Sequence, residues 1–318
     1  MLLTVSRAFK HLHNPNQLLF RTSRCLMTTG DDAAFKNIIS SPKSKSIKTI
    51  QNLLNKRKER TRSGQTVVEG PRILFDLLDN PSTKPLVRQI YVSVEDYENE
   101  YSDRLSKELD IVLVTPEVLK GALSDTVTPQ GIVAIVDIPS YDVDLTRKNP
   151  VYLVLDGVSD PGNVGTLLRS SLAVGCAGVV LLPGCCDVWN PKAVRSAMGT
   201  SFQLPIIQSS SWQNAVTSLK EWNVESVYAA TMIEGGSNSG GSQPHFDINW
   251  LAHPSAIVIG SEGNGLSSEI RDAIVSSESN FVKAVHVPMC SGIESLNAAV
   301  CGSVILFEYS RQNAIITK

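Results

Sequence analysis

Three stretches of this 318-residue chain place polar, chemistry-bearing side chains beside glycines where an apolar strand runs into a helix. The first is Leu155–Arg169 (LDGVSDPGNVGTLLR). Asn163 is placed to cap the helix that follows, Gly165 lets another backbone approach closely, and Arg169 lies six residues after Asn163, nearly two helical turns on. An amide and a guanidinium can line one side of a cleft only if the loop brings them together; the plainer reading is a capped helix with a surface arginine. The second stretch is Ile257–Leu266 (IVIGSEGNGL), whose three glycines allow positive φ and tight contact with a ligand. It is neither a dinucleotide-binding glycine pattern nor a P-loop, and Glu262 among the glycines suits an anionic orienting group rather than a phosphate cradle. A plain strand-to-helix turn fits it equally. The third is Val285–Ala299 (VHVPMCSGIESLNAA). Ser295 or Glu294 is placed to cap a helix that packs closely through Ala298, Ala299 and Gly302, and His286, without an evident Asp or Ser partner, reads as structural. No G-x-S-x-G elbow is present, which argues against serine hydrolase chemistry.

The elements that must position these loops alternate. Apolar runs predict strands at 151–155, 178–182, 203–207, 227–231, 256–260 and 284–287, and helices at 163–174, 191–199, 211–222, 267–275 and 295–311. Alternation of this kind makes a mostly parallel sheet covered by helices on both faces, with ligands at the carboxyl ends of its strands. Upstream, a smaller α/β module is predicted: a helix from Ser46, strands at 66–68, 90–94, 111–114 and 132–136, and helices from Pro71 and over 116–123. The expected division is a presequence over 1–30, a linker over 31–45, the small module over 46–138, a second linker over 139–150 and the larger domain over 151–312. Residues 235–242 (GGSNSGGS) read as a flexible surface loop.

With 42% hydrophobic and 19% charged residues, the composition is that of a globular protein, and no apolar run is long enough to span a membrane. The six cysteines form no C-x-x-C pair and read as reduced and mostly buried, and the five histidines show no metal-ligand spacing, so no metal is expected. Charge is unevenly distributed. The net charge is −2, but residues 43–62 carry net +7, residues 1–42 net +3 and the remainder net −12. Lys56, Arg57, Lys58, Arg60 and Arg62 are therefore where a polyanion would first be felt. Residues 1–30 hold Arg7, Lys10, Arg21 and Arg24, many hydroxyls and no acid, which predicts an organellar transit peptide, mitochondrial in preference to chloroplast because arginine is prominent. Met27 offers an alternative start that would remove it.

Taken together, N-x-G-x-x-x-R at Asn163–Arg169, G-S-E-G-x-G-L at Gly260–Leu266 and V-P-M…E-S-L-N at Val287–Asn297 resemble the three motifs of the SpoU-type RNA ribose 2′-O-methyltransferases of the SPOUT class. Lys56–Arg62 through Val67-Val68-Glu69-Gly70-Pro71-Arg72, with Thr128–Val133, is similar to the ribosomal-protein-like (L30e-like) RNA-binding domain that often precedes that catalytic domain. The resemblance covers roughly residues 47–312. It implies an α/β trefoil knot, a homodimer and S-adenosylmethionine as methyl donor, held largely by backbone around Gly260, Val287 and Leu296, with Pro288 and Met289 in the wall. By the same resemblance, Arg169 acts at the 2′-hydroxyl or its adjoining phosphate, and Asn163, Glu262, Ser295 and Asn297 occupy the positions of polar partners. The third motif departs mildly, with Cys290-Ser291-Gly292 where the glycine often comes one residue earlier, and Asn297-Ala298-Ala299 where bulkier residues are common. The expected activity is ribose methylation of organellar ribosomal RNA. The alternatives are a tRNA methyltransferase, or a non-catalytic RNA-binding assembly factor on the same fold.

Overall fold

The computed structural model describes residues 38–106, 108–124, 129–233, 241–276, 281–292 and 295–316. The expected presequence, Met27, Glu294 and most of the glycine-serine loop lie outside the described residues.

The N-terminal module runs α1 (Lys45–Asn55), α2 (Arg57–Ser63), β1 (Gln65–Glu69), α3 (Pro71–Asp79), β2 (Val87–Ser93), α4 (Val94–Asp96, continuing as a wider turn to Tyr101), β3 (Ile111–Val114), α5 (Pro116–Val118, continuing to Leu123) and β4 (Ile132–Asp137). Ser44 caps α1 by accepting from the Ile47 amide. Residue 39 is not free linker, because Ile39 bridges Val114 beside β3. The sheet order is β1-β4-β2-β3, with only β2 and β3 parallel. Alternation along the strands sends Val67, Tyr91 and Val133 towards α1 and the 116–123 helix, and Val68, Val92 and Ala134 towards α3.

The larger sheet follows: β5 (Val151–Asp156), α6 (Pro161–Val174), β6 (Gly178–Leu181), α7 (Pro191–Ser196), β7 (Ile206–Gln208), α8 (Trp212–Glu221), β8 (Ser226–Ala230), β9 (Gln243–Pro244), β10 (Ser255–Gly260), α9 (Ser268–Val275), β11 (Val282–His286) and α10 (Ala298–Ile316). Its order is β7-β6-β5-β10-β8-β11-β9, and every pairing is parallel. Strand β5 reads VYLVL because both of its faces are covered: Val151, Leu153 and Leu155 face the α6/α10 layer, and Tyr152 and Val154 the α8/α9 layer. Strands β10 and β11 enter between strands laid down earlier, and the chain then returns as α10 across α6 and β10. Gly302 makes that return possible, since a Cβ there would sit 2.5 Å from Leu167. At the far end of α10, Gln312 accepts from the Trp250 amide and donates to Ile248 O and Glu308, so the helix clamps the segment that leads into β10.

The expected 203–207 strand begins only at Ile206, because Thr200–Gln203 form a 3₁₀ turn packed towards the smaller sheet. The two modules are not beads on a linker: one apolar core runs from Val68, Ile73 and Val136 through Trp189 and Phe202 to Leu155 and Ile305. Thr66 donates to Trp189 O (2.6 Å), and Tyr141, within the expected second linker, donates to Phe202 O (2.8 Å).

Candidate active site

The register sets Gly260 at the end of β10 level with Asp156 at the end of β5. Beyond Gly260 the chain turns back on itself, with Ser261 N donating to Gly265 O (3.0 Å) and Gly265 N to Ser261 O (2.9 Å). The turn crosses over Gly260 so tightly that a Cβ there would lie 2.5 Å from the Gly265 carbonyl. Gly265 has φ +64°, a conformation that favours glycine. Asp156 Oδ2, itself buried, accepts from the Ser267 amide (2.6 Å) and ties the far end of the turn to the sheet.

Beside this turn lies a cleft of about 400 Å³ between the carboxyl ends of β10, β8 and β11. Ile259, Gly260, Ser261, Glu262 and Gly265 form one side; Ala230, Thr231 and Met232 continue from β8. Val285, His286, Val287 and Met289 come from β11 and its loop, and Ser295, Leu296, Ala298 and Cys301 close it. The wall mixes apolar side chains, exposed backbone and a few polar groups, as small-molecule sites do. Burial pushes the Cys301 thiol up, so it adds no charge there.

At the rim, three of the expected residues meet in one directional chain. Asn297 Oδ1 accepts from the amides of Ala299 (3.0 Å) and Val300 (3.2 Å) at the start of α10. With its oxygen so used, Asn297 donates its Nδ2 to Asn163 Oδ1 (3.0 Å), and Asn163 in turn donates to the Glu262 carboxylate. The helix end thus fixes which way both amides point, and the carboxylate terminates the chain inside the cleft wall.

Several expectations change. Asn163 does not cap α6; Asp160 does, accepting from the Asn163 amide (2.9 Å), which frees the Asn163 side chain for the rim. Asn297, rather than Ser295, caps α10. Pro288 is exposed and does not line the cleft. Arg169 is exposed on α6, does not line the cleft and makes no ion pair among the described residues; it points away from Asn163 by about a third of a turn, as six-residue spacing on a helix dictates. Gly165 does permit the close approach expected of it, with Ala197 N 2.6 Å from where its Cβ would be.

Among the basic residues, Lys56, Arg57, Lys58 and Arg62 are exposed, and Arg62 pairs with Glu59. Arg60 is not available to RNA. It is 3% exposed, donates from Nε (3.0 Å) and Nη2 (2.7 Å) to Asp187 Oδ2, and from Nη1 to Leu53 O (2.6 Å) and Leu54 O (3.2 Å). The helical spacing of α2 turns this one member of the basic run inward, against the loop after β6.

Residues 150–307 match the SpoU rRNA Methylase family, and residues 44–134 match the MRM3-like substrate binding domain. A mitochondrial rRNA methyltransferase 3 of Xenopus laevis is 30% identical over 85% of this chain and 75% of its own length. The chain belongs to the SpoU rRNA methylase family. It is a methyltransferase that uses S-adenosylmethionine. A Bacillus subtilis 23S rRNA guanosine 2′-O-methyltransferase is 29% identical, covering 85% of this chain and 97% of that protein. Among solved structures, the SpoU methyltransferase AviRb of Streptomyces viridochromogenes in complex with S-adenosylmethionine superposes with TM-score 0.70 at 25% identity, over 85% of this chain and 98% of the other.

Sequence reasoning missed Thr231, Met232, His286 and Cys301, all of which line this SpoU cleft. The first two follow β8, and nothing in the sequence says that β8 lies between β10 and β11. His286 was read as structural for want of a partner. Its partner is Ser242, 44 residues away, whose hydroxyl is 2.9 Å from Nδ1. The histidine stands immediately before the third motif, which begins at Val287.

Proposed function

We propose that this protein methylates a ribose 2′-hydroxyl of mitochondrial ribosomal RNA, acting in the matrix as a homodimer. The supporting observation is the Asn297–Asn163–Glu262 chain ending in the wall of a cleft formed by two of the three motif loops. Mitochondrial rRNA methyltransferases among the relatives favour that compartment and substrate, and neither the tRNA nor the assembly-factor alternative is favoured.

The cleft fits S-adenosylmethionine in size, in its apolar wall and in the glycine turn that leaves backbone open to a ligand. Bound there, the cofactor supplies an electrophilic sulfonium methyl. The backbone around Gly260, Val287 and Leu296 holds it, Met289 walls it, and Ser295 and Glu262 present polar groups to the ribose. Asn163 and Asn297 keep the Glu262 carboxylate in place. The role of Arg169 is electrostatic: its planar fork grips the phosphate beside the target hydroxyl and stabilises the developing alkoxide, while the proton leaves to water or phosphate.

Because Arg169 does not line its own cleft, the homodimer gives it a role by delivering it to the partner's. Val300, Val304 and Phe307 form an exposed apolar stripe along α10, next to α6, at the spacing of a helix face that seeks a partner. The late insertion of β10 and β11 followed by α10 is read as the trefoil knot. Isothermal calorimetry with S-adenosylmethionine, followed by methyl incorporation into mitochondrial RNA fractionated by size, tests the activity. Arg169→Lys keeps the charge and loses the fork. A fall of roughly 10²-fold in methyl transfer with cofactor affinity retained is expected, and an Arg169→Lys rate equal to wild type overturns the assignment.

A further inference from the structure

A second, smaller hollow of about 100 Å³ opens at the carboxyl ends of β6 and β7, on the same edge of the sheet as the cleft. Arg57 from α2, Gly184 and Gln208 are among the residues that line it. Arg57 reaches across the seam between modules, its Nη2 3.4 Å from Gln208 Oε1. That contact uses the oxygen of the Gln208 amide and leaves its N–H groups without an acceptor among the described residues. The Gly184 N–H is likewise without one, at φ +86°. Arg57 pairs with no acid among the described residues. The nearby Asp187 is neutralised by Arg60, and Asp160 is committed to the Asn163 amide. Burial holds the Cys185 thiol above its ordinary value and pushes Cys186 up to about 11, so neither contributes negative charge.

A guanidinium fork, an amide donor and a glycine N–H around a space this small make up the donor set of a phosphate site. We propose that this hollow seats one phosphodiester of the bound RNA, a point of attachment separate from the methyl-transfer cleft; the proposal rests on the reading of the protein as an RNA methyltransferase. Arg60 is the positioning residue for the seat. By holding the Leu53 and Leu54 carbonyls and Asp187 together, it fixes α2 against the β6 loop, so that Arg57 stands at the hollow. The seat is two to three strands from β10, roughly 10–14 Å, which spans about three to four stacked nucleotides.

The test is fluorescence anisotropy of a labelled single-stranded RNA oligonucleotide over a series of potassium chloride concentrations, on the full chain. Arg57→Gln is expected to weaken binding and to make the salt slope shallower by about 0.7, the contribution of one single-strand phosphate contact. Gln208→Glu leaves Arg57 in place but puts a carboxylate into the hollow, and is expected to weaken RNA binding as well. An unchanged slope in Arg57→Gln overturns the seat. So does a Gln208→Glu protein that binds RNA like wild type, because Arg57 would then contact RNA outside the hollow. Circular dichroism melts with unshifted midpoints show that both variants fold. Calorimetry with S-adenosylmethionine separates the two levels. A wild-type protein that binds neither RNA nor cofactor strikes the functional reading, whereas a wild type that binds both, with variants indistinguishable from it, strikes the seat alone.

Discussion

Along one edge of the seven-stranded sheet, the loops after β6 and β10 use charge in opposite ways. After β6, Asp187, its side chain 10% exposed, is paired with a buried Arg60, and the hydrogen bonds of the pair go to the protein's own groups. After β10, Glu262 is exposed, and its hydrogen bond comes from an amide oriented two steps away by a helix end. The first arrangement fixes the angle between two modules at the cost of desolvating two ions. The second keeps a carboxylate aimed by its hydrogen bond yet accessible from outside the protein. A charge in the sequence is therefore not a site by itself; what its partner leaves unsatisfied decides.

The contrast is sharpest when the buried pair is broken. Asp187→Ala leaves the Arg60 guanidinium desolvated with only two carbonyls, and should cost about 3–5 kcal/mol of unfolding free energy in urea, whereas the apolar double variant Arg60→Met/Asp187→Leu should recover most of it. Equal losses in single and double variants would mean that the pair is not truly buried. On the cleft side, Gly260→Ala drives a methyl into the Gly265 carbonyl; a loss of about 1–3 kcal/mol is expected, with at least tenfold weaker cofactor binding by calorimetry. Asn297→Ala removes both a helix cap and the donor that orients Asn163. About 1 kcal/mol of stability should go, and methyl transfer should drop roughly tenfold while cofactor affinity holds. A rate unchanged by Asn297→Ala would show that the chain to Glu262 is only structural.

The smallest effect concerns Glu308, whose carboxyl is held below its usual range by hydrogen bonds from Arg311 and, secondarily, Gln312. A lowered folded-state value means stability that is present near neutrality and lost as pH falls through it. Glu308→Gln should therefore melt lower than wild type at pH 7 by about 0.5–1 kcal/mol, and the gap should close in acid.

Much of this was legible beforehand. Strands such as β5 and β10 announce themselves through unbroken apolar runs, and the three loops could be located because a parallel sheet offers its strand ends to ligands. Strand order could not be read. That is why Thr231 and Met232, two residues past β8, went unnoticed, and why Ser242 was not seen as the partner of His286. Capping was misassigned at both helices of the site for one reason: Asp160 and Asn163, or Ser295 and Asn297, are equally good caps by type, and only the loop geometry chooses between them. The basic run over 56–62 was correctly seen as concentrated charge, but Arg60 lies on the inner side of a helix whose orientation depends on Asp187, 127 residues away.

The place of β10 between β5 and β8 bears on how the chain is made. About 100 residues separate the end of β5 from the start of β10. At ribosomal rates of some 5–20 residues per second, that interval lasts roughly 5–20 s. Throughout it the nascent polypeptide carries VYLVL with one flank of backbone amides and carbonyls still waiting for its neighbour, an invitation to pair with other unfinished chains. Synthesis of this protein is thus expected to depend on a chaperone that shields that flank until about four-fifths of the message has been read.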